Sequence, residues 1–507
     1  MDNTNKIVSL EHAERRSEEP QTRGERALYS LAGRFDGRVE GLDLYQRMIQ
    51  YWGVMFDRRN ALHALDCMNF SLGHFPEVLT VTDVAAIHRL ESGYASPDGA
   101  PELGALIRHL EQARLDRHSP HRAPLHRALV ERAGVGCAVG TTGAIMAVMN
   151  TIARLPRSIS PRANDAPEVV VPLPNYPVCA AQPRHLRALT PRYVYGRFEN
   201  GFLPTFEEVT SAVNERTVVI TLTYPSNPAQ ATYEGARLDD LRRLVRFCQA
   251  EGIFLLVDNI YQELVYGRPF HEVFTLTDSL DYVVKCYGPS KDTPFFAGYR
   301  VGYWFGDPRL EDGCREHAWV AENSANPLSL ALFGVNLLLR ASSTSGTALR
   351  EDDMRFLQDG MFGWGQRVER AASFDRIHAT RLPERFHANL TRAEAMQREA
   401  VQQVRAFSRA SRALTLACNE DIGNVCLLRV DPRAFSGTDV ELFEFLCGHG
   451  IAVLPGNSFG MPIARGDAWF RMTLIHEPID SLLRRLERVD DLLAPRITRT
   501  HRQPSAA

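Results

Sequence analysis

Through the middle of the chain, up to residue 305, short β-rich runs that end in turns of small or polar residues alternate with helical stretches. The strand candidates are Val169–Leu173, Val218–Leu222, Ile253–Val257, Tyr282–Cys286 and Val301–Phe305. Helical spacing falls at 143–154, 206–214 and 237–250. Runs this short and this uniformly apolar are buried on both faces. Alternation with helices therefore predicts an α/β fold with a mostly parallel sheet between helical layers. Pro172 sits inside the first run and predicts that this strand ends early or bulges there. Active groups of such sheets gather at the carboxyl ends of the strands.

The flanks differ in character. Residues 1–24 and 498–507 read as tails, and 25–100 as an arm with a helix near 39–57. A Pro/Gly turn at Tyr94–Gly99 leads to a helix over Glu102–Arg114. A long, mostly helical stretch covers 309–341, followed by a charged segment to about 411 without a readable motif. The end is α+β, with strands Asn424–Val430, Ile451–Leu454 and Trp469–Leu474 and helices Val440–His449 and Pro478–Leu493. The expected division is a large domain over 101–341 and a smaller α+β domain built from 342–497 and part of 25–100.

Composition removes several classes. Charged residues make up 23% of the 507-residue chain and the net charge is −3, so there is no basic field for nucleic acid and no polybasic membrane anchor. No apolar run reaches the length of a membrane span, and the charged start Met-Asp-Asn-Thr-Asn lacks a signal-peptide core. Nine scattered cysteines without CxxC pairing fit a reduced cytoplasmic protein, and no metal-ligand spacing stands out.

Chemistry concentrates where the strand candidates end. Tyr287-Gly288-Pro289-Ser290-Lys291 presents a lysine after one of them, and Arg300 follows nine residues later. A lysine in a partly apolar setting can act as a nucleophile toward aldehydes, and an arginine grips phosphate with paired hydrogen bonds. An aldehyde that carries a phosphate describes pyridoxal 5'-phosphate. Gly140-Thr141-Thr142-Gly143 at a helix start offers backbone N–H groups and hydroxyls to a phosphate. Tyr176 can stack on a flat ring, Asn227 can bond a phenolic oxygen, and Asp258 can pair with a protonated pyridine nitrogen, with Tyr261 three residues on. Taken singly, each also fits an ordinary turn or helix cap. Their order along the chain, each at a strand end or helix start, is what joins them.

From about Asn69 to His476 the chain resembles the fold-type I pyridoxal-phosphate enzymes and, within them, the class I/II aminotransferases. The resemblance implies an aspartate-aminotransferase-like fold. It implies a cofactor held covalently by Lys291, with phosphate bound by Arg300, Ser290 and Gly140–Thr142. It also implies Tyr176, Asn227, Asp258 and Tyr261 around the ring. Tyr94 of the Tyr-x-x-Pro-x-Gly turn would enter the neighbouring subunit's site, which implies a homodimer. Pro455-Gly456-Asn457-Ser458-Phe459 followed by Trp469-Phe470-Arg471 resembles the segment whose arginine clamps the substrate α-carboxylate, here Arg471.

Two departures stand beside it. The Lys291–Arg300 interval is one residue longer than the family's usual spacing, and the segment between Arg300 and Arg471 is enlarged. The leading expectation is an aminotransferase with a specialised biosynthetic amino-acid substrate. The alternative is a lyase or synthase of elimination, replacement or C–C bond formation, since Ser290-Lys291-Asp292 also resembles the aminocyclopropane-carboxylate synthase branch, which acts on S-adenosylmethionine. Aspartate 4-decarboxylase-like chemistry is a third reading. Residues 25–90 lack the helix-turn-helix and basic recognition helix of aminotransferase-like transcription regulators.

Overall fold

In the computed structural model the described residues are 96–494, excluding 100, 269, 294, 295, 348, 350–368, 371–375, 419 and 475–477, together with short strands at 63–64 and 88–89. Tyr94 lies outside them.

The dominant element is a seven-stranded sheet of β1 (Gly134–Val139), β2 (Glu168–Leu173), β3 (Thr190–Tyr195), β4 (Thr217–Thr223), β5 (Phe254–Asp258), β6 (Val283–Tyr287) and β7 (Val301–Gly306). Its spatial order is β1-β7-β6-β5-β4-β2-β3. All pairings are parallel except those of β7, which runs antiparallel to both β1 and β6. β2, β4, β5, β6 and β7 are buried along their whole length, whereas β3, at the edge, exposes alternate residues. That difference follows from position, because only interior strands are covered on both faces.

Period-two alternation sends side chains to two cores. Val170, Ile220, Leu222, Leu255 and Val257 join a cluster with the helices Pro101–His118 and Pro327–Ser345. Val169, Val171, Val219, Leu256 and Val284 join a second with the helices Gly140–Arg154 and Pro177–Leu186. Residues 327–345 are mostly apolar, and thirteen of these positions are buried, Asn336 and Arg340 among them, as expected for a helix within a core.

A four-stranded antiparallel sheet, ordered Leu414–Leu416, Val425–Val430, Trp469–Thr473, Leu454–Pro455, packs with helices Asp439–Gly448 and Ile479–Leu493. The long helix Arg376–Ala410 runs beside it. The His63–Ala64 strand pairs in parallel with Ile451–Ala452. Among the described residues no helix is long and apolar enough to cross a membrane.

Two expectations need correction. β2 does not end at Pro172, because its pairing with β3 continues through Leu173 and its irregularity toward β4 falls between Glu168 and Val169. Pairing with β4 stops at Val170, so the missing N–H of Pro172 interrupts no ladder on that side. The helix expected over 206–214 is only Phe206–Thr210, and beyond it the side-chain Oδ1 of Asn214 accepts the Arg216 N–H and diverts the chain. The stretch 309–341 is mostly helical, as expected, and consists of two α-helices, Glu311–Glu322 and Pro327–Ser345. They are separated where Asn323 adopts φ +61° and Asn326 caps the N–H groups of Leu328 and Ser329.

Candidate active site

The parallel strands β2, β4, β5 and β6 deliver Tyr176, Asn227, Asp258 and Lys291 to one end of the sheet. These four line a single cavity of about 410 Å³ with Thr141, Thr142, Tyr261, Ser290, Arg300 and Arg471. Gly140 starts the helix behind it.

The lysine turn is fixed from beneath. Asp292 is buried next to Lys291, accepts the Tyr287 hydroxyl at 2.5 Å and pairs with Arg340 at 3.0 Å. The Lys291 carbonyl accepts the Asn424 amide at 3.0 Å. Gly288 lets this turn press on the helix start, because a Cβ there would stand 2.7 Å from the Val301 carbonyl and 2.8 Å from Thr141 Oγ1. Lys291 is thus mounted on a buried ionic base while its side chain reaches the cavity.

At the helix start, Gly140 has φ +72° and a Cβ there would lie 2.8 Å from Arg300 Nη2. The guanidinium therefore lies directly over the first turn of the helix. Thr141 Oγ1 is buried there without a hydrogen-bond partner among the described residues. An unfilled donor, an arginine and the positive end of a helix together suit a phosphate. The longer Lys291–Arg300 interval is taken up partly by a short helical turn, Phe296–Tyr299, with Phe296 buried. Arg300 leaves it at φ +53°.

Asp258 closes β5 and is buried, with Oδ1 accepting the Ile260 N–H at 3.2 Å. Burial pushes its carboxyl up to about 7, and the Ile260 N–H and the charge of Lys291 offset only part of that. A buried carboxylate this poorly compensated suits a protonated ring nitrogen. Tyr176 is oriented by its neighbour: Asn175 Oδ1 accepts both the Tyr176 N–H and the Thr223 hydroxyl at 2.7 Å. Arg471, from the small sheet, lies over the Phe459 ring at 4.7 Å and donates to Asn227 Oδ1 at 3.3 Å. The residues present therefore fit a flat, phosphorylated, ring-nitrogen-bearing group beside a carboxylate clamp.

Two polar wall residues, and one carboxylate behind the wall, are absent from the sequence-based expectations. Cys179 and Gln182 follow Tyr176 at intervals of three on one helix face, and Gln182 donates to the Thr142 carbonyl at 2.8 Å. That spacing is a usable signal. Glu322 reaches the start of the phosphate-seat helix from elsewhere in the chain and carries no local signal.

The family model for aminotransferase class I and II matches residues 68–330, just over half of the chain. The chain belongs to this family. As a class I and II aminotransferase family member it is 32% identical over 187 residues to the aspartate aminotransferase of Bacillus subtilis. That match spans 36% of this chain and less than half, 46%, of the relative. Among solved structures it is similar to the aspartate aminotransferases of Rhizobium meliloti (TM-score 0.61, 21% identity, 94% of this chain and 100% of that one) and Thermotoga maritima (TM-score 0.61, 16% identity, 89% and 97%). At those identities the likeness establishes the fold, and it is the fold expected for the family.

Proposed function

We propose that the protein is a pyridoxal-phosphate-dependent aminotransferase acting on an α-amino acid with a specialised biosynthetic role. The observation that carries this reading is the single cavity into which Lys291, Asp258, Tyr261, Asn227 and Arg471 all open. When bound, pyridoxal phosphate supplies an aldehyde that captures an amine and a ring that stores the electron pair left at the α-carbon.

The chain's own residues supply the rest. Lys291 would hold the cofactor, and its Nζ would be the base that takes the substrate's α-proton. Asp258 keeps a proton on the ring nitrogen, and Asn227 and Tyr261 bond the ring's phenolic oxygen. Tyr176 stacks on the ring face, and Gly140, Thr141, Thr142, Ser290 and Arg300 hold the phosphate. Arg471 orients the substrate by its α-carboxylate. A homodimer with Tyr94 reaching the neighbouring site, and a cytoplasmic location, belong to the same reading. The family resemblance supports the former, and the eight free cysteines among the described residues support the latter.

The test is to load the protein with pyridoxal phosphate and offer a panel of amino acids with S-adenosylmethionine among them. Release of an oxo acid in step with conversion of the cofactor to its amine form is the expected result. Products of elimination or ring closure, with the cofactor left in its aldehyde form, would replace this reading with the lyase or synthase one.

A further inference from the structure

Glu322 is the last residue of the helix Glu311–Glu322, where a carboxylate opposes the helix's own dipole. Its side chain serves a different helix. Oε2 accepts the Val139 N–H at 3.2 Å, and a Cβ on Gly143 would lie 2.8 Å from Oε1. The two contacts fall on the N-cap and the first turn of Gly140–Arg154, the turn that carries Thr141 and Thr142 and over which Arg300 lies. The carboxyl is half-buried. Burial raises its proton affinity, and the Val139 N–H and the charge of Arg300 oppose that rise.

The chain therefore places a carboxylate of its own at the helix terminus and within the field of the guanidinium over it, the two positive features that a phosphate dianion would use. Through the partly screened interior a like charge held near a phosphate is worth on the order of tenfold in an equilibrium constant. Resting on the proposed pyridoxal-phosphate reading, we infer that Glu322 is an internal competitor of the cofactor phosphate: it balances Arg300 and the helix start in the empty site and weakens phosphate binding in the loaded one. Glu322 is a positioning residue here. It sets how tightly the site keeps its phosphate and takes no part in the reaction.

The experiment compares equilibrium binding of pyridoxal phosphate and of unphosphorylated pyridoxal to the cofactor-free protein and to Glu322→Gln, read by absorbance. The amide oxygen of Gln keeps an acceptor for the Val139 N–H and removes the charge. The expected result is about tenfold tighter pyridoxal phosphate with pyridoxal unchanged. Inorganic phosphate should compete correspondingly better in the variant. Unchanged or weaker pyridoxal phosphate binding, or an equal gain for pyridoxal, overturns the proposal. Glu322→Ala provides the same reading if Gln at this position does not fold. Failure of the unaltered protein to bind pyridoxal phosphate at all would instead remove the functional reading on which the inference stands.

Discussion

Arg471 donates from Nη1 to Oδ1 of Asn227 across 3.3 Å, tying the central strand region of the small sheet to the turn that follows β4 of the large one. Both side chains are buried, at 4% exposure each, so the bond is shielded from water and holds the arginine at the mouth of the lysine cavity. A carboxylate arriving at Arg471 would meet a guanidinium already oriented.

Replacing Arg471 should therefore damage substrate use more than folding of the large sheet. Arg471→Ala is expected to lower kcat/KM for the amino acid on the order of a hundredfold, and Arg471→Lys about tenfold, because lysine keeps charge without the paired geometry. Steady-state kinetics with one amino acid would show the order; equal losses in the two variants would count against a clamping role.

Asp258 makes the empty site sensitive to pH. Its folded value, about 7, lies above its ordinary 3.8, so its contribution to stability is full below about pH 4 and is lost as pH rises through about 7. Asp258→Asn cannot ionise and lacks that loss. In cofactor-free protein the variant should gain up to a few kcal/mol relative to the parent above pH 7, because each tenfold change in proton affinity is worth about 1.4 kcal/mol. Denaturant unfolding at pH 4 and pH 8 reads the difference; a gap that does not widen with pH would contradict it.

Lys285 is fully buried and sits in direct contact with both Glu111 and Glu272. Glu111 also has Arg114 at 2.7 Å and the Tyr303 hydroxyl, and these partners hold it below the usual carboxylate range against its burial. Glu272 depends on Lys285 and stays pushed up by burial. Lys285→Met should cost about 3–5 kcal/mol by leaving buried carboxylates without their cation, with part recovered by adding Glu272→Gln. Equilibrium unfolding of the two variants measures it.

Gly140→Ala places a side chain at φ +72° and against Arg300 Nη2. The backbone cost is about 1–2 kcal/mol, and the arginine must move off the helix start. Faster loss of pyridoxal phosphate on dialysis is the expected outcome, read by cofactor absorbance, with only a modest fall in melting temperature.

Much of this molecule is legible in its sequence, and the reason is local. The β-branched runs before Tyr176, Asn227, Asp258 and Lys291 are short and apolar because each strand is covered on both faces, so their ends could be found, and residues that line one shared cavity could be read from them. Glycine at 288 and at 140 marks close approach and positive φ, again properties of single positions. What the sequence could not contain is contact between distant segments. Arg471 meeting Asn227, Asp292 resting on Arg340, Lys285 bridging Glu111 and Glu272, and Glu322 arriving at the phosphate seat all depend on how helices pack across the sheet. Their residue types fit surface ion pairs equally well in one dimension. Burial in three dimensions turns them into an oriented arginine at the cavity, a base for the lysine, a buried charge balance and a carboxylate at a helix start, because only there does a charge lack water to answer it.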